Sequence, residues 1–241
     1  MLRSSYRVMF VIFLMTSTIS ATRAAVIADL GQDMAVMTNP SGPWTMAWAP
    51  NPGGALTPLS GMNILGPGMS LVDWYRDGAG PFVAANLTGS PYALSYATWG
   101  PHQASMHPAS DGSYAAVRLT VPTTVTGTLA VMFEGLDFLA STNKDVHVWH
   151  NGSSLLSDMI SGFGDTVVFS LSTLFGAGDT IDLYVGTGGD GYTYDTTGVY
   201  ATLSTGEASA APEPGSLALL AMACIGLASI PRRSRTFAAH R

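Results

Sequence analysis

The sequence predicts an all-β domain, an antiparallel sandwich, and three observations carry that expectation. Between its two ends the chain is rich in glycine, threonine, serine and valine and poor in Lys, Arg and Glu, a bias toward strands and tight turns over helices. Segments that alternate or concentrate β-branched and aromatic residues recur at intervals of roughly 8–15 residues, with turn signals between them. Outside the two ends, no segment longer than about ten residues keeps a helical period.

The elements follow in order. "WTMAWA" (Trp44 to Ala49), "MSLVDWY" (Met69 to Tyr75) and "YALSYATW" (Tyr92 to Trp99) read as strands. The second half is denser: "YAAVRLTV" from Tyr114, "GTLAVMFEGL" from Gly127, "DVHVWH" from Asp145, "DTVVFSLS" from Asp165, "DTIDLYVG" from Asp179 and "GVYATLS" from Gly198. Asn151-Gly152 stands where a type I′ hairpin turn needs two positive φ values, and "GAGD" from Gly176 is a second turn. The Pro- and Gly-rich stretch from Pro40 to Gly61 reads as loops around one short strand. It belongs to the same domain because Trp44 and Trp48 require burial. The expected sandwich spans 25–204, and the small polar residues of 205–211 form a linker.

The two ends read differently. Arg3 and Arg7 precede an apolar run from Val8 to Met15, and small residues follow at Ala21, Ala24 and Ala25. A positive start, a short apolar helix and a small-residue exit describe a secretory signal peptide over 1–24, cut after Ala24 or Ala25. At the other end no charged residue occurs from Gly215 to Ile230, expected as a short transmembrane helix over 215–230. At ~1.5 Å per residue it reaches only ~24 Å, short of a ~30 Å hydrocarbon core. Pro231 ends it, and Arg232, Arg233 and Arg235 form the basic flank expected on the cytoplasmic side. This orientation puts the middle of the chain outside the cytoplasm.

Pro212-Glu213-Pro214, then "GSLALLAMACIGLASI", then "PRRSR", resembles the PEP-CTERM sorting signal of Gram-negative bacteria, over 212–235. The resemblance implies export through the translocon, removal of the signal by signal peptidase, and transient anchoring in the inner membrane. An exosortase-like membrane protease then cuts near Pro212, Glu213 and Pro214 and passes the protein to the cell envelope or extracellular matrix. Cys224 inside the apolar run and "TFAAHR" beyond the arginines depart from the pattern without removing it. A simple tail anchor is the other reading.

From Asp29 to Glu207 there are fifteen acids against Arg76, Arg118 and Lys144, a balance of −12. Nucleic acid and anionic lipid both require a positive footprint, so they are excluded as partners. Cys224 is the single cysteine, so the middle domain has no disulfide and must be held by a hydrophobic core.

"VRLTVP" (Val117 to Pro122), "DVHVWHNG" (Asp145 to Gly152), "GDTIDLYVG" (Gly178 to Gly186) and "YDTTGVYATLS" (Tyr194 to Ser204) resemble a lectin-like domain of exported proteins carrying this tail. That resemblance implies a jelly-roll-like sandwich similar to carbohydrate-binding modules.

Residue by residue, the candidates are few. In a strand, His147 and His150 point to opposite faces, which opposes a shared metal. Val146 and Val148 face the core and leave Asp145, His147 and Trp149 together on the other face. Trp149 there is either an open platform for sugar rings, with Asp145 and His147 as polar contacts, or is covered and part of a core. The run "GTGGDGYTYDTTG" from Gly186 leads into a strand, which opposes a phosphate loop; Asp190 and Asp195 offer hard oxygens for a structural Ca²⁺. Glu134 and Asp137 could be imagined as glycosidase carboxylates but read as solvated surface acids. No G-x-S-x-G, free thiol or H-E-x-x-H occurs in the domain, so no enzyme is expected. The expected function is an exported, structural or adhesive protein. The alternatives are a carbohydrate-binding module for extracellular polysaccharide and, behind it, a glycoside hydrolase or lyase.

Overall fold

The computed structural model describes residues 24–34, 37–66 and 68–206. The expected signal peptide and sorting tail, with Pro212, Glu213, Pro214, Arg232, Arg233 and Arg235, lie outside the described residues. Among those that are described, no helix is long and apolar enough to cross a membrane.

Strands dominate. In chain order they are β1 (Val26–Asp29), then the single-turn helix α1 (Leu30–Asp33), β2 (Trp44–Ala49), β3 (Thr57–Pro58), β4 (Gly61–Leu65) and β5 (Leu71–Tyr75). Next come β6 (Phe82–Asn86), β7 (Tyr92–Ala93), β8 (Thr98–Trp99), β9 (Ala104–His107), β10 (Tyr114–Thr120) and β11 (Val125–Gly135). The last are β12 (Asn143–His150), β13 (Ser153–Ser161), β14 (Thr166–Phe175), β15 (Thr180–Val185) and β16 (Thr197–Thr205).

They form two large antiparallel sheets and one small hairpin. One large sheet runs β14-β11-β16-β9-β6-β5-β4, with β1 also paired to β16; the other runs β13-β12-β15-β10-β2-β3. Period-2 alternation assigns the faces. In β11, Leu129, Val131 and Phe133 are buried while Thr128, Ala130 and Met132 are not. In β12 the buried apolar pair is Val146 and Val148, as the alternation expected.

The inner faces of the two sheets share one core. Trp44, Met46, Val117, Leu119, Leu183 and Val185 of one sheet join Val83, Met106, Phe133, Val199 and Leu203 of the other. Each such side chain, fully buried, stabilises by about 1.5–3 kcal/mol, which serves a domain without a disulfide.

The Asn151-Gly152 turn has φ of 49° and 76°, the two positive values a type I′ hairpin needs. One expected strand is instead two. Tyr92 to Trp99 folds back on itself as β7 and β8, with Tyr92 opposite Trp99. That hairpin lies on the outer face of the eight-stranded sheet, where Trp99, Ala97 and Leu136 pack with Leu71 and Ala84. Trp99 Nε1 donates to Ser105 Oγ on β9 at 2.8 Å and fixes the hairpin there.

The three basic residues of the domain are all engaged. Arg76 donates to Asp77 and Asp111 and lies 4.8 Å from the ring centre of Trp48. Arg118 forms a two-pronged pair with Asp182, at 2.6 and 2.7 Å. Lys144 is fully buried.

Candidate functional site

A pocket of about 240 Å³ opens on the outer face of the eight-stranded sheet, at the end where β6, β9 and β11 meet the loops. Phe82 on β6 and His107 on β9 are directly paired across the sheet, and their rings stack at 4.8 Å and 11°. Tyr96 enters from the bend between β7 and β8. Tyr192, Thr193, Tyr194 and Thr196 come from the loop before β16, and Asp137 from just beyond β11. Tyr192 meets His107 edge-on at 6.1 Å.

The glycines of the β15–β16 loop explain its shape. Gly188, Gly189 and Gly191 all have positive φ, which side-chain-bearing residues avoid. Tyr194 takes φ of 67° without that freedom, and the Thr142 hydroxyl holds it by donating to its carbonyl at 2.8 Å. Such a conformation in a bulky residue marks a loop whose position is imposed by its surroundings.

The floor is polar and incompletely satisfied. Asp137 is fully buried; its Oδ2 accepts from the Thr196 N–H, while Oδ1 has no partner. Burial pushes its carboxyl up, against the opposing pull of Thr196 and Lys144. Asp195 sits between Tyr194 and Thr196 but turns inward, fully buried, with both carboxylate oxygens unpartnered. Burial raises it to about 7, with Thr142 and Lys144 offsetting only part of that rise. Lys144 Nζ donates to the Thr142 carbonyl at 3.1 Å; burial lowers its pKa and Asp195, Asp137 and Asp190 pull it back.

His107 is neutral in this setting. Burial lowers it to about 4, and its Nδ1 donates to the Pro108 carbonyl at 2.8 Å, which leaves Nε2 as an acceptor. The lining is thus aromatic walls with acceptors among them. Beside it, Phe138 follows Asp137 in sequence and meets Phe163 edge-on at 6.0 Å, both rings largely exposed.

The glycan-contact candidates of the sequence fall elsewhere. Asp145, His147 and Trp149 do share the outer face of the six-stranded sheet, but Trp149 is no open platform. The loop after β2 covers it, with Gly53 so close that a Cβ there would lie 2.5 Å from the ring. Trp149 packs with Tyr184, Ala47, Ala49, Ala116 and Leu56 in a small cluster of its own. Asp145 is occupied too, accepting from Tyr114 Oη at 2.6 Å, His147 Nε2 at 2.8 Å and the Gly188 N–H at 2.8 Å. Burial raises that carboxyl, but these hydrogen bonds outweigh it and bring it down to about 2.

The two Ca²⁺ candidates do not act alike. Asp190 Oδ2 accepts from both the backbone and the side-chain nitrogen of Asn143, at 2.9 and 3.1 Å, and so ties down its own loop. Asp195 instead lies buried in the field of Lys144, a cation the chain itself supplies. Among the described residues no group of three or more His, Asp or Glu is arranged to hold a metal ion.

Asp137, read from sequence as a solvated acid, is the buried floor of the pocket, because the return of the chain at Ala97 pairs with it and covers it. Glu134 is separate from it and accepts from Gln103 Nε2 at 3.0 Å. The pocket is not legible in the sequence because its lining comes from five separated stretches. The one local signal is the tyrosine pair in "GYTY".

No protein-family model matches this sequence, and no curated protein matches it. Solved structures do. The CBM51 from Clostridium perfringens GH95, solved in complex with methyl-galactose, is 12% identical, with 46% of this chain and 72% of that one covered and a TM-score of 0.33. CBM35 from Paenibacillus barcinonensis is 19% identical, covering 44% of this chain and 81% of its own, at a TM-score of 0.25. A family 29 carbohydrate-binding module is 13% identical, covering 72% and 96%, at a TM-score of 0.28.

Proposed function

We propose that this chain is an exported, non-catalytic glycan-binding protein built on a jelly-roll-like sandwich, which holds extracellular polysaccharide in the pocket between Phe82, Tyr96, Tyr192 and Asp137. The single observation that supports it is that pocket, with aromatic rings around a buried carboxylate whose Oδ1 has no partner. Sugar rings offer apolar C–H faces to aromatic walls and hydroxyl donors to acceptors, so both parts of the lining have a counterpart in a saccharide. The volume lies below the roughly 300–1,000 Å³ of pockets for drug-sized ligands, which suits one ring of a longer chain. Among the lining residues Asp137 is the single carboxylate. Glycoside hydrolysis ordinarily uses two, so the lining favours binding over cleavage.

The ends of the sequence supply delivery in this reading. Signal peptidase removes 1–24, the short apolar helix holds the chain, and an exosortase-like protease cuts at Pro212-Glu213-Pro214. The released domain then acts as a structural or adhesive element of the envelope or matrix. Mass spectrometry of the mature protein tests this part. New termini near Ala25 and near Pro212 support it, and an intact chain from Met1 to Arg241 in the cytosol overturns it. For the pocket, calorimetry of the secreted protein against a panel of polysaccharides and their oligomers is decisive. Tyr96→Ala and Tyr192→Ala are each expected to weaken binding roughly tenfold or more, the range of a lost stacking ring that is desolvated by its ligand. A panel with no binder, or variants that bind as well as the parent, overturns the reading.

A further inference from the structure

Resting on that reading, we infer that the pocket selects a saccharide carrying a free, protonated amine, that is, an amino sugar without its acyl group, with the ammonium inside the aromatic walls and over the buried Asp137 carboxylate.

Three features converge on this. Phe82, Tyr96, Tyr192 and Tyr194 bring aromatic rings around one small space, and the face of such rings attracts a cation, most strongly once water is displaced. Asp137 lines the same space, is wholly buried, and leaves one carboxylate oxygen without a donor. A carboxylate short of donors attracts a nearby cation more strongly through a low-dielectric wall than it would in water, and an ammonium is such a cation. Neutral hydroxyls gain nothing comparable from the field of that carboxylate.

The surrounding charges agree in sign. Burial first, and then the fields of Asp137 and Asp73, hold the proton on Tyr96. Behind the floor, Asp195 and Asp190 interact with Lys144, the one basic group there, and Lys144 is already shared among three acids. His107 adds no positive charge at neutral pH, since it is deprotonated down to about 4. The lining joins ring faces and a carboxylate with hydroxyls that both donate and accept, and with acids outnumbering the single base behind it, it disfavours uronic acids and other anionic sugars and favours a cation.

The test is calorimetry of the secreted protein at about pH 6 with three probes of equal length: the glucosamine tetramer, the N-acetylglucosamine tetramer and cellotetraose. The amine form is expected to bind roughly tenfold or more tightly than either neutral tetramer. Its affinity should fall as salt rises, while neutral probes respond little. Asp137→Asn should erase the preference, bringing the amine tetramer to the affinity of the neutral ones. The salt dependence of the parent protein reads the same point without any variant. Equal affinity for all three tetramers, or tighter binding of a neutral one, overturns the amine preference and leaves glycan binding standing. Failure of every saccharide overturns both.

Discussion

Each sheet of this domain carries an acid among aromatic rings on its outer face, and the two clusters differ in one respect. On the six-stranded sheet, Asp145 has three donors and Trp149 lies under a loop. On the eight-stranded sheet, Asp137 has one donor, an oxygen left over, and rings that open onto a pocket. Identical residue types therefore serve opposite ends: a saturated cluster fastens loops, and an unsaturated one has capacity for something outside the chain. Electrostatics records the contrast. The Asp145 carboxyl is held down to about 2, whereas burial drives Asp137 upward.

Substitution can break this contrast from either side. The largest expected effect is on the saturated face. Trp149→Ala should cost about 3 kcal/mol in denaturant unfolding, because it empties the space beneath the loop at Gly53. It should leave saccharide affinity unchanged. Tyr192→Ala should do the reverse, costing under about 1 kcal/mol of stability while weakening binding.

Asp145→Asn comes next, at about 2 kcal/mol near neutral pH. With a folded pKa of about 2 against an ordinary 3.8, Asp145 contributes stability above about pH 4 that disappears as pH falls through 2. Unfolding curves between about pH 2 and 7 should show a smaller acid-side slope in the variant than in the parent.

Smaller in the parent protein, because they oppose each other, are the effects of Asp195 and His107. Asp195, raised from 3.8 to about 7, contributes stability that is full below about pH 4 and is lost as pH rises through 7. His107, lowered from 6.5 to about 4, contributes stability that is present above about pH 6.5 and is lost as pH falls through 4. Between roughly pH 4 and 6.5 their slopes have opposite signs. Asp195→Asn should therefore raise the midpoint of thermal unfolding at about pH 8 and barely change it at about pH 4. His107→Gln should flatten the loss on the acid side. Parallel pH profiles for parent and variants would sink this account. The smallest expected change is none: a chelator should leave the melting temperature where it was, since Lys144 stands among the acids of that loop.

Much of the sandwich could be read directly. The strands β2, β10, β11, β12, β15 and β16 follow from alternation, because each has one face on the shared core. The strands that escaped lie where that rule fails. The run Ser153 to Ser161 forms β13, an edge strand exposed on nearly all its residues, so no apolar face imprints a period on it. The same holds for β4, and β6 with "FVAAN" buries both faces and so lacks alternation. Tyr92 to Trp99 carried enough aromatics for one strand, but its rings serve a hairpin pressed against the sheet. The pocket was still less legible. Phe82 and Asp137 are fifty-five positions apart, and only pairing of β6 with β9 and the return at Ala97 bring them to one place. Burial of Asp137 is a property of what covers it, not of its neighbours in sequence.

The engagement of all three basic side chains reaches beyond the single molecule. With Arg76 and Arg118 locked onto their own aspartates and Lys144 sealed inside, the outward field of the domain is set almost entirely by its acids. Copies brought close together would therefore push one another apart over about 8–10 Å at moderate ionic strength and draw mobile counterions between them. A layer of such copies would behave as a hydrated, swelling gel, its spacing governed by the saltiness of the medium.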